Sequence, residues 1–359
     1  MTTDDRSSHI DSLRALAALL VVWTHSAELF APFAGGSVLH DVAARYDFGR
    51  IGVVAFFGVS GLLIPTSLRA DRDRPARAFL IRRFFRLFPA FWLSVPLGVL
   101  SVWTLFGRPI SAADIALNLT MIPGLLHAQP VMGLYWTLEY ELGFYVLCLG
   151  LFLTGVLHRR YTAAAITALF LAAYVAGFAA LVLLHRQAWA DAGVVALNFG
   201  ILFLGALWRR DLDGKLDMLE RLVLWGALAL ILVVTPAACA FAHYRWAPGN
   251  SFFITFPASY GAGVFLFVAM TSFAKVRWRP LAWVGLVSYS LYLLHPVVLY
   301  VMTYAIQRHW PGAGAPVAVQ MAVAAALSTL LAAAAFYALE KPAIDLGHRL
   351  TRARAAAKT

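Results

Sequence analysis

Residues 10–30 read IDSLRALAALLVVWTHSAELF. About 20 apolar residues are what a helix needs to cross a bilayer, and this run has that length while carrying polar side chains at particular depths. Arg14 and His25 lie eleven residues apart in it. On a helix, eleven steps of about 100° close three turns, so the guanidinium and the imidazole share one stripe about 16 Å apart along the axis. Ionisable groups on a lipid-embedded helix are costly and face a protein interior or a water-filled path, which makes this stripe a candidate functional face. Asp11 and Glu28 are also present and no clear small-residue cleavage site follows, so the segment reads as a span and not as a signal peptide.

The rest of the chain extends that reading. Of the 359 residues 61% are apolar and 13% charged, against about a quarter charged in soluble domains. Ten apolar stretches predict an all-α, polytopic membrane protein: 10–32, 48–68, 84–107, 134–156, 162–184, 193–208, 222–242, 253–274, 283–306 and 316–340. With the N-terminus inside, the inner segments hold 23 of the 29 Lys and Arg residues, so the positive-inside rule predicts both termini in the cytoplasm. The net charge of +11 is thereby topology and attraction to anionic lipid. A nucleic-acid partner would need a soluble basic surface, and none is expected. Cys148 and Cys239 lie in apolar spans without metal-ligand spacing, so neither a disulfide nor a metal site is expected. The expected organisation is a transmembrane domain over 1–345 and a basic cytoplasmic tail over 346–359. Two longer outer segments, 33–47 and 108–133, are suited to lid a cavity. The inner segment from Arg69, RADRDRPARAFLIRRFFRLFP, predicts a short helix lying on the membrane that ends before Pro89.

Several motifs now stand in order: IDSLRALAALLVVWTHS, FFGVSGLLI, RRFFRLFP, WTLEYELGFY, VSYSLYLLHP and FYALEKP. In them the chain resembles acyltransferase family 3, bacterial membrane enzymes that move an acyl group, commonly acetyl, from acyl-coenzyme A to a hydroxyl of a sugar or similar acceptor. Arg14 and His25 fit the family's Arg, ten residues, His pattern, and Arg83 and Arg86, flanked by Arg82, fit its arginine motif. Glu141 falls on its acidic position, five residues after Trp136. Phe57, Ser60, Tyr289, Tyr292, His295 and Glu340 fall in register with its other motifs. Many relatives carry an acid just before the Phe pair where this chain has Val54, and some carry a soluble esterase-like domain at the C-terminus. This chain ends 19 residues after Glu340, so on this reading it completes transfer within the membrane or hands the acyl group to a separate partner.

The resemblance implies an O-acyltransferase of the bacterial cytoplasmic (inner) membrane with acyl-coenzyme A as donor co-substrate. Helix arithmetic brings His25, Glu141 and His295 within about a turn of one depth. An imidazole titrating near neutrality suits deprotonation of an attacking hydroxyl, which makes His25 the expected general base. Glu141 is its expected carboxylate partner, with Glu28 and Glu139 as rivals, and an acyl-His intermediate stays open. Arg14, Arg82, Arg83 and Arg86 are expected to hold the phosphates of the donor, since guanidinium forks suit them. Phe57, Ser60, Trp136, Tyr289, Tyr292 and His295 are expected along the substrate tunnel. The acceptor is a carbohydrate, a lipid-linked sugar or a secondary metabolite.

Plainer readings apply to some of these residues. Phe56, Phe57, Ser60 and Gly61 also suit close helix packing, the His295 ring also suits backbone freed by Pro296, and Trp136 suits an interfacial anchor. Arg69, Arg72, Arg74 and Arg77 fit topology and lipid contact. Glu340 and Lys341 are expected to cap the last span at the interface. The main rival class is a proton-coupled secondary transporter using His25 and Glu141 as a relay.

Overall fold

The computed structural model describes residues 3–34, 38–69, 74–184, 186–245, 249–309 and 316–352. Arg72 of the arginine segment, residues 35–37 of the first outer segment and residues 353–359 of the tail lie outside the described residues. Among the described residues every regular element is helical, and ten helices are long and apolar enough to cross a membrane. They are Ser8–Phe33, Phe48–Ser67, Pro75–Phe106, Gly133–Leu153, Thr162–Leu184, Gln187–Leu212, Met218–Arg245, Phe252–Ser272, Ser288–His309 and Val317–Leu350, called spans one to ten below. The count and order agree with the apolar stretches in the sequence. Spans three and ten each reach beyond the expected limits on the side where arginine, lysine and proline had suggested an end.

The expected surface helix before Pro89 is not formed. One helix, Pro75–Gly98, runs through Pro89 and Pro96. Proline deletes one N–H and crowds the carbonyl four residues earlier, a local cost that packed neighbours in a membrane protein absorb. Here Leu87, Ala90 and Phe91 are buried on either side of Pro89 and hold the helix together. Pro75 opens the helix where its missing N–H costs nothing. Arg77, Arg82, Arg83 and Arg86 therefore ride on the start of span three itself.

The chain forms two compact units. The first comprises Met1–Thr24, Asp41–Thr66 and Tyr140–Gly285. Lipid offers no hydrophobic drive for helices to associate, so close approach at small residues supplies the dispersion contacts. A Cβ on Gly61 would stand 1.8 Å from the Leu202 carbonyl oxygen, and one on Gly52 would stand 2.3 Å from that of Ala17. Span two thus packs backbone to backbone, and Gly61 of FFGVSGLLI is a packing residue. Buried polar groups in this unit are paired: Tyr260 donates to Asn198 Oδ1 at 2.9 Å, and Trp208 Nε1 donates to Thr271 Oγ1 at 2.9 Å.

The second unit comprises His25–His40, Ser67–Glu139 and Leu286–Thr359. Its outer segment carries a short helix, Ala112–Asn118, capped by Ser111. Asn118 bonds the Gln129 carbonyl and the Val131 N–H, and Asp114 accepts from the Gln129 N–H, so the two ends of the segment are tied together. The Ser111 hydroxyl, then the Gln129 N–H, hold the Asp114 carboxyl below its usual range. Glu139 closes the same segment by accepting from the Gly124 N–H at 2.6 Å. Span ten is a helix to Ala335, a widened π turn over Phe336–Glu340 and a further helix, Lys341–Leu350. In that turn the Lys341 N–H reaches back five residues to the Phe336 carbonyl.

Candidate active site

One unbroken helix, Thr3–Phe30, carries both Arg14 and His25, so the stripe read from their spacing exists on a real element. His25 is half-buried and sits with the second unit. Its Nδ1 lies 3.1 Å from Glu28 Oε2. An ionised carboxylate only accepts, so Nδ1 carries the hydrogen and Nε2 keeps its lone pair. Glu28, one turn along the same helix, therefore fixes the tautomer that a base needs.

The His295 ring is stacked on that of His25, with centroids 5.4 Å apart and planes 18° from parallel. His295 is fully buried, and its Nδ1 lies 3.1 Å from the Leu291 carbonyl. A carbonyl also only accepts, so His295 too is held with its hydrogen on Nδ1. Among the described residues its Nε2 has no hydrogen-bond partner. In this tautomer His295 cannot donate to an oxyanion. Tyr292, with its ring 6.2 Å from that of His295, bonds Thr137 at 2.7 Å and the Leu134 carbonyl at 3.1 Å. Those bonds tie span nine to the start of span four, where Trp136 is exposed.

The arginines gather in a cavity of about 260 Å³ in the same unit. Arg82, Arg83 and Arg86 line it with Ser67, Phe79 and His348, and none of its lining residues is acidic. Residues three and four apart share a helix face, which is why one element can aim three guanidinium groups at one space. Arg82 Nε donates to Thr351 Oγ1 at 2.6 Å, and the Arg83 guanidinium stands 5.5 Å from the Phe79 ring centre. Arg86 is shared between the cavity and a buried carboxylate: its Nη1 lies 2.5 Å from Glu340 Oε1.

Glu340 is therefore no interfacial cap. It is fully buried, and its second oxygen accepts from the Ser290 hydroxyl at 2.5 Å. The widened turn turns its side chain inward where a regular helix would continue the lipid-facing alanine run. Tyr289 adds to the junction, donating to the Leu87 carbonyl at 2.9 Å beneath the Arg86 guanidinium. Sequence reading placed Glu340 in a motif and missed this partnership, because nothing in FYALEKP announces a π turn. It also missed His348 and Thr351, for which the sequence offers no signal.

The other expected site residues belong to the first unit. Arg14 lies 3.8 Å from Asp11. Glu141 accepts from the Tyr145 hydroxyl one turn along its helix. The Phe57 ring stands 5.7 Å from that of Tyr140, and Ser60 is half-buried on the same span.

A helical membrane body, an imidazole held as a base and a cationic cavity define an anion-using membrane enzyme, and comparison with known proteins agrees. The profile of acyltransferase family 3, described as an acyltransferase domain, matches residues 8–338, and the chain belongs to that family. It is also 27% identical over 369 residues to a protein of Komagataeibacter xylinus that carries the name membrane-bound transacylase BcsY, covering 96% of this chain and 85% of that one. No solved structure matches it. The chain is thus a multi-pass membrane acyltransferase.

Proposed function

We propose that the protein transfers an acyl group, in the simplest case acetyl, from cytoplasmic acyl-coenzyme A to a hydroxyl of a carbohydrate or related acceptor. The observation that carries this reading is the acid-free cavity lined by three arginines, in the same unit as the paired imidazoles. Coenzyme A bears a 3′-phosphate and a pyrophosphate, and bidentate guanidinium groups suit both. His25 Nε2 takes the proton of the acceptor hydroxyl as its oxygen attacks the thioester carbon. The tetrahedral intermediate collapses with cleavage of the C–S bond, and the departing thiolate takes the proton back from the imidazolium. Glu28 holds the ring and balances its transient charge.

Purified protein given radiolabelled acetyl-coenzyme A tests the reading. Hydrolysis or transfer is the expected result, and absence of both with intact binding of a transported solute would favour the transporter. Arg83→Ala should raise the apparent KM for the donor while turnover at saturation survives, since an interaction made equally in ground and transition states governs binding alone. The donor side requires the arginine segment to be cytoplasmic. Reporter fusions there and at the C-terminus should report the inside, and fusions in 33–47 and 108–133 the outside. An external arginine segment would end the proposal of a cytoplasmic donor.

A further inference from the structure

The family match ends at residue 338, yet the arginine cavity does not. One wall of it comes from the helix Lys341–Leu350, which presents Ile344 and His348, four residues apart and so on one face. This helix is held tightly against span three. Gly347 is buried there, and a Cβ on it would stand 2.9 Å from Phe85 Cβ. That approach fixes His348 beside the helix bearing the arginines. Thr351 then finishes the wall with one hydroxyl in two roles: it donates to the Gly347 carbonyl at 2.9 Å and accepts from Arg82 Nε at 2.6 Å. With Nε engaged, the Arg82 guanidinium is held in one orientation.

We propose that the C-terminal helix is a working wall of the donor site, with His348 as a further ligand to a phosphate of acyl-coenzyme A and Thr351 as the positioning residue for Arg82. The proposal rests on the donor reading above and adds to it residues that lie beyond the family match. An imidazole offers a phosphate an N–H in either protonation state, so His348 completes a set of donors around a space with no acidic lining residue. A hydrogen bond to a charged group is among the stronger ones, and its loss should cost about tenfold in affinity. Two parts of the donor carry the required chemistry, the 3′-phosphate and the pyrophosphate.

The test is equilibrium binding of coenzyme A and of 3′-dephospho-coenzyme A to full-length purified protein. The set is wild type, His348→Ala, His348→Gln, Thr351→Val and Arg83→Ala, each with its melting temperature. His348→Ala should weaken coenzyme A about tenfold, His348→Gln less, and turnover at saturating donor should persist. Thr351→Val should weaken binding in the presence of Arg82 and add nothing once Arg82 is alanine, a non-additivity that a purely structural threonine would not give. If the His348→Ala loss disappears with 3′-dephospho-coenzyme A, the 3′-phosphate is the ligand, and if it persists, the pyrophosphate is. Unchanged coenzyme A affinity in both His348 variants, alongside a loss in Arg83→Ala, would overturn this inference and leave the donor reading standing. No binding of coenzyme A to wild type would overturn both.

Discussion

Replacing His25 by alanine is expected to lower acyl transfer by at least about a hundredfold while the protein still inserts and binds coenzyme A, because a positioned acid or base contributes 10² to 10⁴. Turnover at saturating donor and acceptor, with coenzyme A affinity as control, measures it, and near-normal turnover would remove His25 from the chemistry. The carboxylate behind it can be found in the same way. Glu28 touches the His25 ring, whereas Glu141 bonds Tyr145. Glu28→Gln should give a smaller loss than His25→Ala and displace the pH dependence, since an amide can orient the ring but cannot balance its charge. Glu141→Gln is the matched comparison. If it alone alters the profile, the supporting carboxylate is Glu141 and Glu28 is a bystander.

The largest effect on stability is expected at Glu340. Removing one member of a buried pair strands the other charge, at a cost of about 3 to 5 kcal/mol. Glu340→Ala should therefore unfold at markedly lower temperature in detergent, whereas Glu340→Gln, which keeps both contacts as neutral hydrogen bonds, should lose less. Replacing Arg86 and Glu340 together by methionine should recover much of the loss, because buried pairs exchanged for packed apolar groups are often neutral. The recovered double variant should still bind acyl-coenzyme A weakly, as Arg86 also lines the cavity. A stable Glu340→Ala would mean that Arg86 finds another partner and that the junction is not what holds spans three, nine and ten together.

Several of these features were legible in the sequence for clear physical reasons. Ten spans follow from length and hydropathy alone, and the Arg14 and His25 stripe follows from helical periodicity. Placing His25 and His295 at one depth was also enough to anticipate that they could meet, and they stack. Proline misled: Pro89 reads as a helix end, yet packing carries the helix through it. Charge misled at Glu340, where an acid before Lys-Pro at the end of an apolar run reads as an interfacial cap and is instead a buried partner of Arg86. Long-range pairings such as Arg82 with Thr351 leave no local pattern, so no reading of spacing could have found them.

The widened turn at Phe336–Glu340 means that the count of residues between the last apolar run and the C-terminal helix carries information that their identities do not. A π turn holds one residue more than the α turn it replaces. Deleting a single residue such as Ala338 would let the ladder close as an ordinary helix and rotate everything after it by about 100°. Glu340 would leave Arg86, and Ile344 and His348 would swing off the cavity together. Alanine substitutions through the same stretch would keep the register. The spacing is thus a setting of phase, and an indel there should be far more damaging than any conservative replacement at the same positions.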